Sequence, residues 1–161
     1  MKALVAYDSA YGNTEQIARA IGQALGPEEE VKVLRVGDVT PQQTSGLTLL
    51  VVGSPTQKFS PTGATTRLLK SIPDGSLRGV KVAAFDTRIT EAEVERIKIL
   101  NFFVKIFGYA AEPIASRLEK KGGEQVAAPA GFYVAGTEGP LLDGELDRAA
   151  AWAKEIAAAI S

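Results

Sequence analysis

The chain has 161 residues, 45% hydrophobic and 23% charged, enough apolar material for the core of one domain of ordinary size. Its 18 basic and 19 acidic residues leave a net charge of −1, without the basic excess that a nucleic-acid binder usually carries. With no cysteine and no histidine, the sequence excludes disulfides, thiolate catalysis, cysteine-ligated metals, Ser-His-Asp chemistry and most zinc sites.

The first apolar run, "ALVAY" over 3–7, predicts a buried strand. It is too short for a signal peptide or a membrane span, and the chain reads as cytoplasmic. A small, hydroxyl-rich loop follows, with no lysine or arginine between Asp8 and Thr14. "NTEQIARAIGQALG" then sets Ile17, Ile21, Ala24 and Leu25 on one helical face. Asn13 is its expected cap, Gln16 the partner in a variant of the capping box, and Gly26-Pro27 the stop. Residues 31–35, "VKVLR", alternate as an edge strand does. Residues 36–46 form a connection without a clear helix, and "LTLLVVG" over 47–53 reads as a central strand.

A second polar loop, 54–62, leads into a helix with Leu68, Leu69 and Ile72, for which Ser60 is the expected cap and Pro61 the first turn. Residues 80–86, "VKVAAFD", predict another strand. Over 91–107 a helical face of Val94, Ile97, Leu100, Phe103 and Val104 is widened by Ile99, Phe102, Ile106 and Phe107, and Gly108 stops it. Pro113 opens a further helical piece reaching Lys121, where Arg117, Lys120 and Lys121 suit a solvated C-terminus. Residues 125–135 look like a strand interrupted near Pro129-Ala130-Gly131. The last helix has Asp143 as candidate cap and a stripe of Leu146, Ala149, Ala150, Ala153, Ile156, Ala157 and Ile160. Trp152, off the centre of that stripe, reads as a boundary packing residue.

Strands that alternate with helices in this way predict an α/β fold, a parallel sheet with helices on both faces, in a single domain over 1–161. Ligands of such sheets bind outside the carboxyl ends of the strands, where strand order reverses. Three polar loops lie at such ends: 8–14, 54–62 and 86–90. For the first, two readings stand side by side. Backbone N–H groups at the helix start, approached closely at Gly12, with side-chain donors from Ser9, Asn13 and Thr14, suit a phosphate. A tight strand-to-helix turn with an ordinary cap has the same residues. The loop is neither a P-loop nor G-x-G-x-x-G.

"SAYGNTEQIA" resembles the phosphate loop of flavodoxins, Thr/Ser-x-Thr-Gly-Asn-Thr after the first strand, with Ser9, Gly12, Asn13 and Thr14 matching. Tyr11 departs from the usual hydroxyl residue and is similar to flavodoxin-type quinone reductases. "VVGSPTQKFSPTG" resembles the second flavin loop, and the C-terminal "GFYVAGTEGPLLDGELDRAAAWA" looks like the end of compact flavodoxin-domain proteins. The resemblance implies a three-layer, doubly wound, five-stranded sheet in order 2-1-3-4-5 and one non-covalent FMN. It implies that Ser9, Tyr11, Gly12, Asn13 and Thr14 hold the phosphate. Pro55, Thr56, Gln57, Lys58 and Phe59 would lie along the ring system, with Phe59 as the candidate stacking aromatic. The third loop, "FDTRITEAE", departs from the glycine, acidic and aromatic pattern of flavodoxins, and offers Asp86, Thr87 and Arg88 to the flavin's polar edge.

Redox protein partners or a small quinone-type acceptor follow from the same resemblance. One cation at ~7 Å, at an effective dielectric of ~20, shifts an electron's energy by roughly 2 kcal/mol, on the order of 0.1 V. Lys58 and Arg88 facing the ring would therefore make the potentials less negative than in an acidic flavodoxin. A phospho-receiver is rejected, because Gly53-Ser54 and "AGTEG" stand where it needs an aspartate and a lysine. An FMN-dependent NAD(P)H:quinone reductase, with 97–107 as an association surface, and a binding module that has lost FMN are the alternatives. No residue is singled out as an acid, base, nucleophile or metal ligand.

Overall fold

The computed structural model describes residues 1–57, 60–96 and 108–161. Strand β1 (Ala3–Tyr7) is buried at every position, which is why its sequence is an unbroken apolar run rather than an alternation. It pairs in parallel on one side with β2 (Val31–Arg35), Ala3 opposite Val31, and on the other with β3 (Leu49–Pro55), Ala3 opposite Leu49. Beyond β3 comes β4 (Lys81–Ile89). The fifth position of the sheet is shared by two short strands. β5 (Glu124–Gln125) pairs with the start of β4 and β6 (Ala130–Val134) with its end, all parallel. The order is thus 2-1-3-4-5, with the fifth strand split where the sequence places Pro129, a residue that cannot donate to a ladder.

Helices cover both faces. Even-numbered positions of β1, Leu4 and Ala6, join Leu50, Val52, Val82 and Ala84 against α3 (Gly63–Ser71) and α5 (Ala111–Lys120). The odd-numbered positions, Ala3, Val5 and Tyr7, join Leu49, Val51, Ala83 and Phe85 against α1 (Asn13–Leu25) and α6 (Glu145–Ile160). On this second face Phe85, Phe132 and Trp152 meet edge to face, each pair with centroids 6.1 Å apart, so Trp152 is a packing residue. α4 (Glu91–Arg96) follows β4, and the expected helical face at 97–107 lies outside the described residues.

Where the chain differs from expectation, local chemistry explains it. The 36–46 connection contains a 3-10 turn, Val36–Asp38, and a single-turn helix, α2 (Pro41–Thr44), started by the Gln43 carboxamide accepting from the Thr40 N–H at 2.7 Å. Gly12 rather than Asn13 caps α1, because the turn out of β1 requires φ of 91°. Gly144 rather than Asp143 caps α6, for the same reason, at φ 86°. Thr62 rather than Ser60 caps α3, accepting from the Thr65 N–H at 3.3 Å. Ser60 is committed elsewhere: its N–H and C=O both bond Gln57. Leu146, expected on the buried stripe of α6, is 43% exposed, and the first-turn carboxylate of Glu145 is buried in its stead.

Candidate functional site

At the carboxyl ends of the strands the molecule opens into a cleft of about 400 Å³. It lies where strand order reverses between β1 and β3. The first loop contributes Ser9, Ala10 and Tyr11, and the start of α1 contributes Asn13 and Thr14. Pro55 and Thr56 at the end of β3, and Thr87, Arg88 and Ile89 at the end of β4, form the next two sides. Val94, Tyr109, Val134 and Thr137 close the rest.

The first loop is built before any ligand arrives. The Gly12 N–H donates to Ser9 Oγ at 2.9 Å, which leaves the Ser9 hydroxyl proton for another acceptor. Gln16 closes the first helical bond onto the Gly12 C=O at 3.1 Å, so the N–H groups of Asn13, Thr14 and Glu15 precede the helical ladder. Thr14 and Thr87 join their buried hydroxyls at 2.8 Å; one donates in that bond, and the other keeps its proton. Asn13 Nδ2 donates to the Glu138 C=O at 3.1 Å.

Asp8 braces this loop from behind. Its carboxylate accepts from the Ser9 N–H (2.9 Å), Arg35 Nη1 (3.2 Å) and Thr62 Oγ1 (2.5 Å). Thr62 has a single proton, spent on Asp8, so in its 2.9 Å contact with Thr65 the Thr65 hydroxyl is the donor. The bond from the Thr62 hydroxyl to Asp8 ties the first loop to the second, and within the second loop the Thr62 N–H donates to Ser54 Oγ at 3.1 Å. Arg35 also donates to the Ser9 C=O at 3.0 Å and reaches Glu15 at 3.5 Å. The Arg35 guanidinium beside the loop is thus held by two carboxylates and a carbonyl.

On the third side, Asp86 is wholly buried and does not reach the cleft. It takes a two-point bond from Arg88, Nε to Oδ1 at 2.6 Å and Nη2 to Oδ2 at 2.7 Å, and accepts from the Ala111 N–H at 2.9 Å. Burial pushes the Asp86 carboxyl above its ordinary pKa, against the pull of the Arg88 fork. Burial also opposes the charge on Arg88, but the bond to Asp86 outweighs it and raises the guanidinium. Two N–H···O bonds and a backbone N–H on one carboxylate are the geometry of an ionised pair. Arg88 lies over the Tyr109 ring, 3.7 Å from its centroid, and a Cβ on Gly131 would fall 2.2 Å from Arg88 Nε. Glycine at 131 is therefore what lets the guanidinium lie there.

Of the residues expected from sequence, Ser9, Tyr11, Asn13, Thr14, Pro55, Thr56, Thr87 and Arg88 line the cleft. Gly12 shapes the loop without lining it, Gln57 sits just beyond the lining, and Asp86 lies beneath it; Lys58 and Phe59 are outside the described residues. The sequence reading missed Tyr109, Ile89, Val94, Val134 and Thr137. Val94 falls on the expected helical face of 91–107, and "AGTEG" bears on the sequence reading against a receiver and within the C-terminal resemblance, without a ligand role. At position 53 an added Cβ would lie 2.0 Å from Phe85 Cζ, so the Phe85 ring packs where a side chain would stand. Among the described residues no acidic cluster is arranged to hold a metal, and no helix is long and apolar enough to cross a membrane.

The family model for flavodoxin matches residues 5–152. Among solved structures the chain is similar to a flavodoxin from the domain Archaea, at 22% identity over 99% of each chain and a TM-score of 0.70. It is similar to oxidised flavodoxin 1 of Bacillus cereus at 17% identity, 97% of each chain and a TM-score of 0.73. It also matches rubredoxin oxygen:oxidoreductase of Desulfovibrio gigas at 20% identity and a TM-score of 0.74, with 99% of this chain spanning 36% of that one. At such identities the likeness establishes the fold. No curated protein matched the chain.

Proposed function

The chain belongs to the flavodoxin family, and from that premise we propose that it is an electron-transfer protein holding one FMN non-covalently at the carboxyl edge of its sheet. The observation that carries this reading is the coincidence of one cleft with the strand-order reversal and the first turn of α1. Its volume of about 400 Å³ is in the range of small-molecule and cofactor sites.

The donor set fits the cofactor's phosphate. The N–H groups of Asn13, Thr14 and Glu15 face it at the positive end of the helix dipole, and the hydroxyl protons of Ser9 and of the Thr14–Thr87 pair are available to donate. In this assignment Gly12 gives the loop its shape, and Tyr11, 56% exposed, stands at the mouth. Pro55, Thr56, Thr87 and Arg88 are assigned to the ring system, with Gln57, Lys58 and Phe59 continuing the second loop. Tyr109 supplies an aromatic wall that the third loop's own sequence lacks.

A bound flavin supplies the one- and two-electron chemistry, and the protein binds, orients and electrostatically tunes it. Among the described residues Arg88 is the one cationic side chain lining the cleft, and Asp86 balances its charge. The ring would thus meet a dipole rather than a lone cation. Redox proteins are the partners in this reading. The test is to add FMN to apoprotein, follow flavin absorbance and fluorescence, and then titrate reduction; steady-state NADPH oxidation with a quinone separates a carrier from a quinone reductase. Stoichiometric FMN uptake without quinone turnover supports the carrier, and failure to bind FMN refutes the reading.

A further inference from the structure

The cleft has a wall that none of the three flavin loops supplies. After β6 the chain makes a loop over 135–140 before entering α6. The loop is stitched at its base: the Ala135 N–H donates to the Pro140 C=O at 2.8 Å, and the Leu142 N–H to the Tyr133 C=O at 3.0 Å. A turn bond from the Gly139 N–H to the Gly136 C=O, at 3.1 Å, crosses its tip. The exposed segment is therefore closed and shaped without a ligand.

This loop is latched to the first loop. Asn13 Nδ2, at the start of α1, donates to the Glu138 C=O at 3.1 Å. The approach is so tight that a Cβ on Gly139 would fall 2.6 Å from both Nδ2 and Oδ1 of Asn13, and Gly139 has φ of 103° besides. The latch spends part of the Asn13 amide. In exchange it sets Thr137, with its hydroxyl, in the lining of the same cleft as Ser9, Asn13 and Thr14.

Resting on the FMN reading above, we propose that 135–140 is a fourth ligand loop and that the Thr137 hydroxyl donates a hydrogen bond to the nucleotide's phosphoryl group. The end of the cleft follows from the latch: Asn13 opens the helix whose N–H groups are assigned to the phosphate, and Glu138 is the neighbour of Thr137. The chemistry is of one kind with the first loop. Thr137 adds a neutral hydroxyl, and Glu138 engages Asn13 through its backbone carbonyl rather than its carboxylate.

The test compares FMN with riboflavin, which lacks the phosphate, by fluorescence titration of apoprotein. A hydrogen bond to a charged group corresponds to a loss on the order of tenfold or more on removal. Thr137→Val is expected to weaken FMN by that factor and to leave riboflavin unmoved. Thr137→Ser is expected to keep wild-type affinity for both, and the apo variants to melt with the wild type. In a Gly139→Ala background, where the latch is displaced, Thr137→Val is expected to cost little more. Equal FMN affinity of Thr137→Val and wild type overturns the proposal, as does an equal weakening of both flavins. Wild-type protein that binds neither flavin overturns the FMN reading itself, and this proposal with it.

Discussion

Arg88 and Asp86, two residues apart on β4, are locked side by side in a two-point bond, with Asp86 wholly buried and the Arg88 side chain 14% exposed. Arg88, one of the two cations that the sequence offered to the flavin, therefore comes with its counter-charge. One of the two expected sources of a less negative potential is offset, and the other, Lys58, lies outside the described residues.

Removing one partner of such a pair strands a buried charge. Arg88→Ala is expected to destabilise the fold by about 3–5 kcal/mol, read by urea denaturation. Replacing both partners, Asp86→Leu with Arg88→Met, is expected to recover most of that loss, because an apolar pair leaves no uncompensated charge. An Arg88→Ala protein as stable as wild type would show that the bond does not hold in solution.

Glu145 gives a pH dependence of definite sign. Burial pushes its carboxyl up, but the Arg148 fork (2.9 and 2.6 Å) and the Tyr133 N–H (2.7 Å) outweigh burial and hold its pKa below the ordinary value. A depressed folded pKa favours folding above the unfolded pKa of about 4.3 and loses that contribution as pH falls through the folded value. Glu145→Gln is expected to be about 1–3 kcal/mol less stable than wild type at pH 7. The gap should close on acidification below about pH 4. A gap independent of pH contradicts the assignment.

Gly53 is fixed by its neighbour rather than by its own backbone angles. An added Cβ meets three atoms of the buried Phe85 ring, at 2.0, 2.3 and 2.3 Å. Phe85 is held in turn by Phe132 and Trp152. Gly53→Ala is expected to cost about 1–3 kcal/mol by overpacking, measured by chemical denaturation, and Phe85→Leu should relieve part of it. A neutral Gly53→Ala would mean that the ring moves aside freely.

The sheet was legible because its strands speak through burial. β1 is apolar throughout since both of its faces are covered, β2 alternates since it is an edge, and Pro129 marks the split of the fifth strand. The helix caps were read less well. Asn13 and Asp143 have the right side chains, but each turn needed a left-handed residue, and the adjacent glycine took the place. The first two loops stood out by their place at the carboxyl ends of strands and by their resemblance to flavodoxin loops; glycine and hydroxyl content alone left the first open between a phosphate site and an ordinary turn. Tyr109 and Thr137 could not, because they enter the cleft through tertiary contacts: Arg88 lying over Tyr109, and the 125-residue reach from Asn13 to Glu138.

The central claim is that amides and hydroxyls, not a free cation, hold the phosphate. It is tested most directly by the ratio of FMN to riboflavin affinity in apoprotein, measured from low salt to about 1 M, where screening shortens to about 3 Å. The account expects FMN to bind at least about tenfold tighter, with a ratio that changes little as salt rises, since hydrogen bonds in a shaped loop are screened far less than exposed charges. Equal affinities, or a preference for FMN that collapses with salt, would contradict it.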